Sequence, residues 1–409
     1  MYSVFCILNS SSDVLVVGAG PAGATAARRL ALGGARVRLI DRERFPRNKP
    51  CGGAISMRAL PRFPYLREAL ARIPTHYISR LCLESSGGES VTLRSKTPAA
   101  LMIRRVEFDD LLVRLAVEAG AELVEGLEIS QASMTDAGVT LAARNGQILH
   151  APMVIAADGV HSVVARRLGF NPGWSRASVA LDMMEESPNG SLRAVDPDTL
   201  WVSYGYQRSD GYAYVFPKRD HVNVGIGCLL SYYRDRVSQH PYDLQRRLVD
   251  TLCETGVLQG GSCRGYFTPF LIPVGGPLGR TVAERVLIAG DAGGFVNGFT
   301  AEGIYYAMVS GLLAAEAVLG GDARSYELRW KQELGAELRD AVWVQRYLFG
   351  DSTRVDAMVR GAHQYPSIAS GLIDYAMGER SYQSARWRLI AKLPLVAARV
   401  ALSAEWPML

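Results

Sequence analysis

The segment that most restricts how this chain can fold is Gly18-Ala19-Gly20-Pro21-Ala22-Gly23. It follows a short apolar run, Asp13 to Val17, and opens a stretch with helical periodicity, Pro21 to Leu32. Gly33-Gly34 can end that helix in a left-handed cap. A second run, Arg36 to Ile40, alternates and stops at Asp41. Strand, glycine-rich turn, helix, strand and acid, in that order, describe a dinucleotide-binding βαβ unit. Gly18 permits the tight turn, Gly20 lets backbone approach a diphosphate, and Gly23 lets the helix pack on the strand. The phosphate charge then sits at the helix N-terminus, beside Pro21 and Ala22. Asp41 can accept hydrogen bonds from a ribose hydroxyl, with Arg42 next to it.

At 409 residues the chain is too long for a single core and implies two or three units. A formal net charge of +5 is mild, and no zinc-finger, helix-turn-helix or RNA-binding pattern accompanies it, so nucleic acid is not an expected partner. The cysteines at 6, 51, 82, 228, 253 and 263 contain no CxxC pair, and the histidines form no ligand cluster. No metal site is expected, and the thiols suit a reducing, cytoplasmic setting. No run approaches the ~18 apolar residues of a membrane-spanning helix. The opening Met1 to Leu8 is apolar but has neither a basic start nor a cleavage-like site. Residues 1–12 therefore read as a loose extension or an upstream start.

Further along, Phe108 to Gly120 reads as an amphipathic helix and Glu122 to Glu125 as a strand. Gly126 to Met153 reads as a β-meander, Val154 to Ala157 as a buried strand and Val160 to Leu168 as a short helix. From Ser178 to Pro273 short segments alternate with period two, including Trp201 to Tyr206, Tyr212 to Phe216 and Asn223 to Gly227. This predicts an antiparallel sheet, interrupted by a helix near Tyr242 to Thr255. Arg285 to Ala289 returns to a parallel-type strand, and beyond Phe299 the pattern is almost wholly helical.

The first fingerprint does not separate FAD from NAD, so a second site must decide. Arg285 to Ala289 runs into Gly290-Asp291 ahead of a helix. Asp291 can hold a ribityl hydroxyl, and Gly293, Gly294 and Gly303 let backbone approach an isoalloxazine ring. The helix from Gly303 to Val318 points its positive end at the flavin N1/O2 edge. Ala157-Asp158-Gly159, with Ser162 and Arg166, lies at another strand–helix junction. Taken together these features indicate FAD.

The three motifs resemble the FAD superfamily of aromatic hydroxylases and their relatives. Phe45-Pro46-Arg47-Asn48-Lys49-Pro50-Cys51-Gly52-Gly53 resembles the PxxKxCGG signature of the geranylgeranyl reductase family. Tyr212-Ala213-Tyr214-Val215-Phe216-Pro217, with Gly225-Ile226-Gly227, resembles that family's YxWxFP…GxG motif, with Tyr214 where tryptophan is usual. Gly290 to Ala307 is similar to the same family. The resemblance implies non-covalent FAD. Ala22 would lie on its diphosphate and Asp41 on its ribose. Cys51 and Gly52 would sit beside the flavin, Arg105 would reach the cofactor, and Ile129 would present backbone to the adenine. Asp291, Gly303 and Ile304 would complete the flavin site. It also implies reduction of carbon–carbon double bonds in an isoprenoid or lipid substrate. No second GxGxxG exists, so the electron donor, NADPH or ferredoxin, stays open.

The expected fold is α/β: a Rossmann-type FAD-binding domain (13–177 and 283–320), an antiparallel β-sheet substrate domain (60–104 and 178–282) and a helical C-terminal region (321–409). Cys51 is the candidate catalytic group, although a thiol with a pKa near ~8.5 is a poor acid toward an unactivated alkene, and a small residue packed beside two glycines is the plainer reading. Lys49 either orients a substrate phosphate or is solvated. Tyr204, Tyr206, Tyr212, Tyr214 and Phe216 either line an apolar tunnel or form ordinary core. The rival functions are an FAD-dependent aromatic monooxygenase, a flavin halogenase and a non-catalytic flavoprotein. Ser384 to Leu402 is basic and amphipathic, broken by Pro394. It suits either a membrane surface, placing a cytoplasmic protein at a bilayer, or a helix packed on its own domain.

Overall fold

The computed structural model describes residues 12–376. All but Ser12 of the 1–12 extension, and the whole of Ser384 to Leu402, lie outside the described residues.

Five parallel strands form the first sheet, in the order Val286–Ile288, Met153–Ala156, Val14–Val17, Val37–Ile40, Glu122–Val124. Both of its faces are buried, as parallel sheets require. Val14 and Val16 pack on one side, under the helices Pro21–Leu32, Arg105–Glu118 and Ile304–Leu319. Leu15 and Val17 pack on the other, under the antiparallel strands Ile129–Thr135, Gly138–Ala143 and Ile148–Ala151. The first and third of these helices touch backbone to backbone: a Cβ on Gly311 would lie 2.1 Å from the Ala22 carbonyl oxygen.

The second sheet has seven strands, in the order Phe267–Pro273, Val179–Pro188, His221–Leu229, Gly211–Pro217, Thr199–Tyr204, Arg80–Glu84, Ser90–Arg94. One of its faces packs on the helix Pro241–Glu254, the other on helices after Phe299. It is not purely antiparallel, because Thr199–Ser203 pairs in parallel with Arg80–Glu84. Hairpin-linked neighbours must run antiparallel, but a strand arriving from far upstream is free to pair either way.

One helix boundary also differs from expectation. The helix expected from Phe108 starts at Arg105, because Arg105 and Asp109 are an ion-paired i,i+4 couple in its first turn. The first helix ends as expected at the Gly33-Gly34 pair, with Gly34 left-handed at φ +84°.

Candidate functional site

One cavity of about 460 Å³ runs between the two sheets. At one end lies the glycine loop. A Cβ at Gly18 (φ +94°) would lie 2.2 Å from the Ala157 carbonyl oxygen, and one at Gly23 would lie 1.8 Å from that of Gly18. At Gly20 it would meet nothing nearer than the guanidinium nitrogens of Arg47 and Arg105, at 3.8 and 4.0 Å. Gly18 and Gly23 are thus set by packing, whereas Gly20 faces open cavity with two cations beyond it. Asp41 braces the loop: its carboxylate accepts from the Ala19 amide at 2.7 Å and the Glu43 amide at 2.9 Å. Pro21, Ala22, Arg42 and Ile129 all reach the wall, and Arg42 is ion-paired with Glu43.

Asp158 lies on the wall but its carboxylate is committed elsewhere. It accepts from the Ser162 hydroxyl at 2.5 Å and from the Val163 and Val164 amides at 2.8 and 3.2 Å, at the start of the helix Val163–Arg167. Burial raises its pKa, and these hydrogen bonds oppose the rise.

The two cations near Gly20 are oriented by a residue the sequence reading did not single out. Asp109 is fully buried and receives Arg105 through two contacts of 2.6 Å and Arg47 through one of 2.9 Å. Burial alone would raise the Asp109 pKa, but the charges of Arg105, Arg47 and Lys49 outweigh it and hold the carboxyl below its usual range. An open backbone loop, a helix start and braced guanidiniums fit the diphosphate of FAD.

Gly290 (φ +61°) and Asp291 follow the strand Val286–Ile288, and Gly303 precedes the helix beginning at Ile304; all four residues reach the cavity. Gly293 and Gly294 do not. A Cβ at Gly293 would strike the Phe295 ring at 2.6 Å and one at Gly294 the Gly276 carbonyl oxygen at 2.4 Å, so both are packing glycines. Lys49 is not a solvated side chain: its Nζ lies 3.8 Å from Asp291 and 4.3 Å from the Phe270 ring centroid. Burial and then the charge of Arg105 lower its pKa, against the pull of Asp291.

The loop carrying Cys51 lies against the second sheet. A Cβ on Gly52 would sit 2.7 Å from the Phe216 ring. Gly53 (φ +75°) donates its amide toward the Cys51 sulfur at 3.4 Å. Lys218, buried, reaches the Cys51 carbonyl oxygen at 3.4 Å and pairs with Glu186 at 2.8 Å, which also holds Arg104 at 2.6 Å. This latch joins the loop to the sheet, and nothing local in the sequence announces it.

Tyr212, Tyr214 and Phe216 occupy alternate positions of one strand and share a cavity face with Tyr204, Phe299 and Phe349. Tyr204 stacks on Phe299 with ring centroids 5.1 Å apart, and the Tyr212 hydroxyl donates to the Thr300 carbonyl oxygen at 2.7 Å. Tyr206, expected on the same wall, is not there. Gly205 (φ +66°) breaks the alternation, and Tyr206 packs on the opposite face. Tyr214 fits because Gly225 lacks a side chain: a Cβ there would lie 2.5 Å from the Tyr214 hydroxyl.

That hydroxyl donates to both carboxylate oxygens of Asp182, at 3.2 and 3.1 Å. Asp182 is buried in the strand Val179–Pro188 and lines the cavity. Its only sequence signal is an acid on the same strand face as Met184. Glu302, also missed, accepts from the Ser56 amide at 3.2 Å and pairs with Arg58, which binds Glu337 on a later helix. These contacts hold the cavity-lining segment around Ala301 (φ +56°) in place.

A family described as "FAD binding domain" matches residues 11–255. The chain is 30% identical to digeranylgeranylglycerophospholipid reductase 1 of Methanothermobacter thermautotrophicus, over 84% of this chain and 88% of that protein. It is 30% identical to menaquinone reductase of Mycolicibacterium smegmatis, over 79% and 80%. Its fold matches a geranylgeranyl bacteriochlorophyll reductase-like protein from Thermoplasma acidophilum, with a TM-score of 0.75 at 23% identity, covering 89% of this chain and 99% of that one. A flavin-dependent brominase shares the fold with a TM-score of 0.69 at 18% identity, over 94% of this chain and 98% of its own.

Proposed function

This chain belongs to the geranylgeranyl reductase family of FAD-dependent oxidoreductases, and from that premise we propose that it saturates carbon–carbon double bonds in an isoprenoid chain. The observation that carries the reading is the single cavity joining the FAD loop to an aromatic wall of Tyr204, Tyr212, Tyr214 and Phe216. An apolar chain gains about 0.8 kcal/mol per buried CH₂, so such a wall supplies affinity without many polar contacts.

When bound and reduced, FAD supplies a hydride. The residues around it position and shield. Gly20 and the Pro21–Leu32 helix start would hold the diphosphate, and Arg47 and Arg105 would neutralise its charge. Asp291 and Lys49, with Gly303 and Ile304 on the same stretch of wall, would hold the flavin. Cys51 and Gly52 line the junction between the FAD loop and the aromatic wall, and the wall would select which double bond is presented. The electron donor is NADPH or ferredoxin. FAD is held non-covalently.

The test is anaerobic reoxidation of the dithionite-reduced holoprotein by polyprenyl diphosphates, prenylated quinones and ether lipids. Reoxidation with a saturated product by mass spectrometry is expected. Hydroxylation of an aromatic acid with oxygen, and no reoxidation by any polyprenyl compound, overturns the proposal in favour of a monooxygenase.

A further inference from the structure

Resting on that reading, we propose that Asp182, held by Tyr214, is the proton donor to the alkene carbon that does not receive the hydride. Reduction of an isolated double bond needs a proton as well as a hydride, and the cavity must supply an acid close to the chain. Asp182 lies on the same sheet face as the aromatic wall, with Tyr214 as its hydrogen-bonding side chain. Among the described residues no lysine or arginine lies within ion-pairing distance of it. Of the other cavity-lining acids, Asp291 is engaged by Lys49, Glu302 by Arg58 and Asp158 by Ser162, and Asp210 is only half-buried where Asp182 is buried.

A buried carboxyl without a paired cation favours its neutral, proton-bearing form. Burial pushes Asp182 up to about 7, against the Tyr214 hydrogen bond and the positive charge of Lys49. The ionisable groups around it are Tyr214 and Tyr212 on one strand, Cys228 on the far face of the next, and Lys49 on the Cys51 loop. The neighbouring strand Phe267–Pro273 contributes Phe270 opposite it and no charge. An acid with a pKa near neutrality is both protonated at rest and able to give its proton up.

The step balances. The π bond breaks, and one C–H bond forms from the hydride that reduced FAD supplies. The other forms between the π electron pair and the Asp182 proton. Reduced FAD is oxidised to FAD, the alkene is reduced, and the Asp182 carboxylate regains a proton from solvent.

The experiment uses FAD-loaded protein and two variants, Asp182→Asn and Tyr214→Phe. Infrared titration of the wild type should show a protonated carboxyl band fading as pH rises through about 7, absent in Asp182→Asn. Asp182→Asn should keep its FAD and circular dichroism but reoxidise about 100-fold more slowly, without pH dependence. The acid form is the active one, so wild-type reoxidation is present below the Asp182 pKa and lost above it. Tyr214→Phe removes a hydrogen bond to the charged form and should move that loss to higher pH, which a merely structural role would not do. Wild-type rate and pH profile in Asp182→Asn overturn the proton donor alone. Failure of the wild type with every polyprenyl compound overturns the reductase reading, and the proposal with it.

Discussion

The two ends of the cavity are built differently. The FAD end is made largely of backbone: Gly18, Gly20, Gly23 and Gly290 act through missing side chains, within short stretches of chain, with the side chains of Arg47 and Arg105 beyond Gly20. The aromatic end is made of side chains from three strands of one sheet, Tyr204, Tyr214 and Asp182, with Gly225 on a fourth leaving room for Tyr214, and no motif links Asp182 to the others. A backbone site depends on a few local conformations and fails when one is blocked. A side-chain site depends on register, and a change there alters what is bound more than whether the protein folds.

The largest effect should come where the two ends meet the core. Asp109→Asn leaves Arg105 and Arg47 buried without a counter-charge and should cost about 3–5 kcal/mol of stability in chemical denaturation. Because the Asp109 pKa is lowered on folding, its contribution is full above about pH 4 and lost as pH falls through the folded-state value. The acid limb of the stability profile should flatten in the variant, and an unchanged limb argues against this pair.

Gly20→Val comes next. Space exists there for a side chain, but only on the cavity side, so the variant should fold while FAD affinity falls on the order of 100-fold, about 3 kcal/mol. A colourless, folded protein is the expected result, and full FAD content sharpens the comparison against a backbone site. Asp41→Ala should weaken FAD by about 1.5–3 kcal/mol. Since Asp41 holds the Ala19 and Glu43 amides, some of that loss should appear as reduced thermal stability of the apoprotein. Unchanged stability assigns its role to ribose alone.

The smallest effects separate the faces of the second sheet. Tyr214→Trp should change which double bonds are reduced while leaving FAD content intact. Tyr206→Leu, on the opposite face, should leave the product pattern unchanged. Equal shifts from both by mass spectrometry would mean that the aromatic wall does not select.

The parallel sheet was readable because each of its strands is a short apolar run ending at a turn signal, and five such runs can be buried on both faces in few ways. The helix start at Arg105 was misjudged because an ion pair, not an apolar residue, opens it. Tyr206 was misassigned because period two was carried through Gly205, whose left-handed conformation ends the strand. Gly293 and Gly294 were read as flavin contacts because a glycine pair looks the same whether a ligand or Phe295 and Gly276 fill the space.

From residue order alone, the glycine fingerprint, the acid at Asp41, the Gly290-Asp291 junction and the Cys51 loop already pointed to FAD and to a reductase-type site, because local backbone chemistry leaves a local pattern. The partners of those residues came only with the tertiary structure: Arg47 on Asp109, Lys218 on the Cys51 carbonyl, Tyr214 on Asp182. Each joins separate elements, and sequence separation carries no record of which side chains a sheet's register will place face to face.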